Sequence, residues 1–155
     1  MPLNELLRED LVFLDMHPKD MPECLELMAQ ATEAAGAIPD AREAAERLLD
    51  RERTMSTGMG SGVAVPHAKT TSCRTTVVAL GVVPDGVDFK SIDGRPVHVV
   101  FMLLGPPDST RQHVDLLARI AYLVKAPGVL EALRGATDKN AVLEILRSNR
   151  ELRHS

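Results

Sequence analysis

Aromatic residues are scarce in this chain. Trp is absent, and one Tyr and three Phe supply all of the 3% aromatic content. The core must therefore be built from Leu, Val, Ala and Met. Excess positive charge is missing too: 18 Lys and Arg stand against 22 Asp and Glu, a formal net charge of −4. That balance argues against nucleic acid as the main partner. No apolar run approaches the roughly 20 residues needed to cross a bilayer. The first residues, Met1-Pro2-Leu3-Asn4-Glu5, lack the basic and apolar regions of a signal peptide. Only two cysteines occur, Cys24 and Cys73, and their spacing is not that of a metal site. A cytosolic setting would leave them reduced. These absences predict a cytoplasmic protein. What is present is an ordinary balance, 45% hydrophobic and 26% charged residues in 155, which predicts one domain over residues 1–155 with a real hydrophobic core.

Read in order, the chain predicts helical turns at Asn4–Arg8 and a first strand at Leu11–Leu14. Asp20-Met21-Pro22-Glu23 has the form of a capping box, with Pro22 where a missing amide hydrogen does no harm. The helix behind it places Cys24, Leu27, Met28, Ala31 and Ala35 on one face and stops at Gly36. Asp40-Ala41-Arg42-Glu43 repeats the capping signal, for a helix with Ala41, Ala45, Leu48 and Leu49 inward that ends near Arg51-Glu52-Arg53. Strands are expected at Val63–Val65, Thr75–Val83 and, most clearly, Val97–Leu104. Pro84-Asp85-Gly86 reads as a turn, followed by a short edge strand Val87-Asp88-Phe89. Asp108-Ser109-Thr110 offers caps for a helix carrying His113, Leu116, Leu117, Ile120 and Val124 on one face. A short helix over Val129–Leu133 and a last one capped by Asp138 complete the pattern, with a polar, frayed tail at Glu151–Ser155. The order predicts an α/β fold, a mixed sheet flanked by helices on both faces.

The chemistry concentrates around Gly62-Val63-Ala64-Val65-Pro66-His67-Ala68, reached through Thr57-Gly58-Met59-Gly60-Ser61. Pro66 has no amide hydrogen and ends the ladder, so His67 is held stiffly at the end of a strand. Imidazole is a nucleophile at neutral pH and can carry a covalent adduct, most simply a phosphoryl group. The glycines do not form a nucleotide loop, since Gly-Val-Ala stands where a Walker motif needs Gly-Lys-Ser/Thr, and the strand follows the glycines instead of preceding them. Glycine here suits a close approach of another backbone to His67. Gly58, Met59, Gly60 and Ala68 would make a docking ring around it. His113 falls in the first turn of its helix. It is either an exposed surface residue or a second imidazole, its pKa depressed by the helix start, that donates to a phosphoryl oxygen. Arg51 is either part of a solvated charged run or a phosphate contact. His98 reads as a satisfied structural residue, and His17 and His154 as surface residues. A metal site formed by His67, His98 and His113 is the remaining alternative, unsupported by any HExxH helix.

Three separated stretches resemble one family. Thr57–Ala68 is similar to the phosphorylation-site signature of the fructose/mannitol class of enzyme IIA, a component of the bacterial phosphoenolpyruvate-dependent sugar phosphotransferase system. Gly86–His98 resembles its following segment, and His113–Ala121 its second-histidine helix. The resemblance implies a phosphotransferase without metal or nucleotide cofactor. His67 would take the phosphoryl group on its tele nitrogen from the carrier protein HPr and pass it to an enzyme IIB. His113 would stand beside the phosphorylated ring, and Arg51, sixteen residues before His67, near the phosphoryl group. With no HPr, IIB or membrane IIC segment in the chain, partners are expected to come from elsewhere. A regulatory protein of the nitrogen-related branch, whose phosphorylation state controls other proteins, is the alternative.

Overall fold

The computed structural model describes residues 3–148. The expected frayed tail and His154 lie outside them. Six helices are present among the described residues: α1 (Leu3–Leu6), α2 (Met21–Ala34), α3 (Ala41–Thr54), α4 (Thr110–Lys125), α5 (Val129–Arg134) and α6 (Lys139–Ser148). Six strands accompany them: β1 (Val12–Phe13), β2 (Gly58–Gly60), β3 (Val63–Ala64), β4 (His67–Lys69), β5 (Val77–Val87) and β6 (Val97–Gly105). The sheet runs β1-β5-β6-β3-β2, with β4 also paired to β6. β5 and β6 are antiparallel, as are β2 and β3, whereas β1 runs parallel to β5 and both β3 and β4 run parallel to β6, so the sheet is mixed.

Every residue from Val99 to Leu104 has no exposed surface, although alternate side chains point to opposite faces. A strand buried on both faces needs cover on both. One cover is α2 with α3, packed against β5 and β4, and the other is the group α1, α4, α5 and α6. The expected sandwich is the observed one. The aromatic-poor core is aliphatic, with Phe89 and Phe101 its largest side chains.

Local signals explain the helix starts. Asp20 accepts from the Glu23 amide at 2.9 Å, Asp40 from the Glu43 amide at 3.1 Å and Asp138 from the Ala141 amide at 2.8 Å. The inward face of α2 is Cys24, Leu25, Met28, Ala29 and Thr32, so Leu27 points outward, one step off the expected stripe. On α3 the buried residues are Ala41, Ala44, Leu48 and Glu52, with Ala45 and Leu49 at the margin.

Three strand expectations change. Pro84-Asp85-Gly86 does not end its strand: β5 continues to Val87, which pairs with Val97 across an irregularity after Val82, so no separate edge strand forms at Val87–Phe89. Gly58–Gly60 is itself a strand, antiparallel to β3. Pro66 interrupts the ladder without ending it. Its carbonyl accepts from the Leu103 amide at 2.9 Å, and pairing with β6 resumes at His67. His67 therefore begins a strand.

Candidate active site

The glycine stretch serves a different neighbour from the one expected. A side chain at Gly58 would meet Ser91 Oγ at 2.2 Å, and one at Gly60 would meet Asp93 at 3.2 Å. Asp93 accepts from the Ser61 amide at 2.8 Å and sits where Ser61 and Gly60 take positive φ. The close approach is that of segment 91–93, not of a backbone toward His67. Ala68 and Gly60 are buried, so neither lines a docking ring, while Met59 remains 37% exposed.

β4 carries the site. Its register sets His67 against Leu103, Ala68 against Leu104 and Lys69 against Gly105. Strand alternation sends His67 and Lys69 to one face and Ala68 and Thr70 to the other. The second face belongs to α3. Glu43, whose amide Asp40 caps, accepts from the hydroxyls of Thr70 and Ser72 and ties down the end of β4 from behind. The first face belongs to α4, where Lys69 Nζ donates to the hydroxyl of Thr110.

His67 is half-buried, and its Nδ1 lies 2.8 Å from the Val65 carbonyl oxygen. A carbonyl can only accept, so Nδ1 carries the proton and Nε2 keeps its lone pair. Val65 is itself fixed by its amide, which donates to the Thr57 carbonyl at 3.1 Å. The resemblance implies an adduct on the tele nitrogen, and this hydrogen bond leaves that nitrogen, Nε2, with the free lone pair.

His113 is 3% exposed and not a surface residue. Neither of its ring nitrogens has a hydrogen-bond partner. The ring lies over Gly105, where an added Cβ would come within 2.6 Å of its Nε2. Because Gly105 is the cross-strand partner of Lys69, this places His113 beside the His67–Lys69 face. Burial pushes the His113 pKa down to about 4, helped by the nearby charges of His67 and Lys69. Desolvation is thus the leading cause, ahead of any effect of the helix start. At neutral pH the ring is uncharged and holds one N–H available as a donor. Ser109 occupies the N-cap of α4 but turns its hydroxyl to the Pro106 carbonyl at 2.6 Å, and no side chain caps the first turn.

Arg51 sits in the last turn of α3 and donates to the Met55 carbonyl at 3.2 Å, sealing its own helix end. No hydrogen bond joins it to His67. His98 Nδ1 donates to the Val83 carbonyl at 3.0 Å. It lies five residues along β6 from Leu103, the partner of His67, which is about 16 Å at a strand's rise per residue. A shared metal site of His67, His98 and His113 is ruled out by that span. His17 is a surface residue bonded to Asp15 at 2.8 Å and Asp85 at 3.0 Å, and these hydrogen bonds raise its pKa. Lys69 was not singled out by sequence reasoning, though its position two residues after His67 in a strand is the signal that could have found it.

A strand-mounted imidazole with its tele nitrogen open thus stands beside a second, neutral imidazole on a mixed α/β sandwich. Residues 5–149 match the family described as phosphoenolpyruvate-dependent sugar phosphotransferase system, EIIA 2, and the chain belongs to that family of phosphotransferases. It is 33% identical over 146 residues to the fructose-specific EIIABC component of Bacillus subtilis, covering 94% of this chain and 23% of that much longer protein. It is also 33% identical over 147 residues to a nitrogen regulatory protein of Bradyrhizobium diazoefficiens, covering 94% of this chain and 95% of the relative. The crystal structure of nitrogen regulatory protein IIA-Ntr from Neisseria meningitidis superposes with a TM-score of 0.85 at 28% identity, covering 93% of this chain and 98% of that one. Among the described residues, no helix is long and apolar enough to cross a membrane.

Proposed function

We propose that the protein is a phosphoryl relay in which His67 accepts phosphate from phosphorylated HPr and passes it to an enzyme IIB. The observation that carries this reading is the Val65 carbonyl at 2.8 Å from His67 Nδ1, which leaves Nε2 as the nucleophile. In the acceptance step the Nε2 lone pair forms a bond to phosphorus while the phosphorus–nitrogen bond to the donor histidine breaks. The bonding pair returns to the donor ring, which leaves neutral. The Nδ1 proton stays on His67, and its positive charge is held against the Val65 carbonyl. Onward transfer reverses the roles, with the thiolate of the IIB cysteine attacking the phosphorus. His113 donates its N–H to a phosphoryl oxygen. Its low pKa keeps the ring neutral, so it stabilises the transferring group without becoming a trap for it. Arg51 stays in the proposal as a phosphate contact, which requires it to leave the Met55 carbonyl. Positioning, not covalent chemistry by further residues, supplies the catalysis.

The IIB acceptor is supported by the name of the Bacillus subtilis relative, which joins A, B and C parts in one protein. A second reading, a cytoplasmic regulator of the nitrogen branch, is supported at the same 33% identity by the Bradyrhizobium relative. Incubation with phosphoenolpyruvate, enzyme I and HPr, followed by mass mapping, is expected to place one phosphate on His67. His67→Ala should lose all labelling while keeping its thermal transition, and stoichiometric labelling of that variant would defeat the assignment. Transfer from the labelled protein to a purified IIB separates the two readings.

A further inference from the structure

We infer that Lys69 is the cation that receives the phosphoryl group on His67, exchanging the Thr110 hydroxyl for a phosphoryl oxygen. The inference rests on the phosphoryl-relay reading and adds to it a residue that neither motif nor resemblance assigned. Three observations carry it. His67 and Lys69 are alternate residues of one strand, so their side chains leave the same face. The cross-strand partner of Lys69 is Gly105, the residue whose missing side chain makes room for the unpartnered His113 ring. Lys69 Nζ is held by Thr110, in the same uncapped first turn of α4 that carries His113.

Charge gives the reason. Among the described residues no carboxylate lies in ion-pair range of Lys69. A hydroxyl is a neutral placeholder for an ammonium group. A phosphoryl group on Nε2 brings up to two negative charges onto the same face, and an ammonium–phosphate hydrogen bond is roughly twice as strong as a neutral one. Lys69 also lies closer in the chain to the nucleophile than Arg51, whose guanidinium is engaged elsewhere.

Phosphoramidate tests this without any protein partner. His67 Nε2 attacks its phosphorus, the phosphorus–nitrogen bond breaks, and ammonia leaves. Wild-type protein should take up phosphate at His67. Lys69→Met should do so about tenfold more slowly, and its phosphoryl group, followed by 31P NMR, should titrate about half a unit higher because the dianion has lost its cation. Lys69→Arg should restore both, and Thr110→Val, which keeps the cation, should stay within about twofold of wild type. Lys69→Met that matches wild type in rate and titration overturns the inference. So does a Thr110→Val defect equal to that of Lys69→Met, which would make the pair a structural tie. Wild-type protein inert at His67 overturns the relay reading itself, a result distinct from either.

Discussion

Two glycines in this sheet make room for two imidazoles, and the pair differ in one respect. At one end of β6 a side chain on Gly86 would meet His98 Cε1 at 3.0 Å; at the other, one on Gly105 would meet His113 Nε2 at 2.6 Å. The His98 ring is bonded to the Val83 carbonyl, whereas the buried His113 ring is bonded to nothing. A buried polar group without a partner is costly, and native proteins keep few of them. The satisfied imidazole belongs to the architecture. In the proposed relay the unsatisfied one serves the group that arrives on His67, at the same corner of the sheet.

Exchanging each imidazole for a leucine should invert the two outcomes. His113→Leu should cut phosphoryl transfer by about a hundredfold and leave stability unchanged or raised, since it removes a buried unsatisfied group. His98→Leu should leave transfer unaffected and cost about 1–3 kcal/mol in urea unfolding, because the Val83 carbonyl loses its donor. Equal stability losses in both would erase the distinction. A milder version moves the glycines. Gly105→Ala should displace the His113 ring and slow transfer about tenfold. Gly86→Ala should cost about 1–2 kcal/mol through its positive φ of 81° while transfer persists. The His113 ring also predicts a pH dependence. Above the unfolded-state His value of about 6.5, both states hold the His113 ring neutral. As pH falls, the unfolded chain binds the proton first, so stability drops until the folded ring titrates near 4. The loss should be on the order of 3 kcal/mol and absent in His113→Leu. His17 opposes it, since its raised pKa adds stability on acidification that fades as pH climbs through that value, so the difference between wild type and His113→Leu is the quantity to measure.

Signals confined to one turn were readable. Asp20, Asp40 and Asp138 cap as their spacing predicts, and the apolar run in β6 is the central strand. Signals that depend on distant segments were not. Pro84-Asp85-Gly86 has turn chemistry, yet pairing with Val97 keeps β5 extended through it. Pro66 lacks an amide hydrogen, but its carbonyl still accepts, so the ladder survives. Of the candidate site, the first-turn position of His113 was legible, whereas His67 was expected to end a strand and in fact begins one. The burial that lowers the His113 pKa and the crowding at Gly105 need the fold. Lys69 escaped notice because its neighbours, Thr110 and Gly105, are more than thirty residues away.

In the proposed relay, the Val65 carbonyl that holds the imidazole also fixes the traffic. With one nitrogen closed, cargo enters and leaves by a single door. A donor and an acceptor cannot be aboard together, so each cycle passes through a loaded protein standing alone. The lifetime of that solitary intermediate, set by the groups around one nitrogen, determines how far the cargo can be carried before the second visitor collects it.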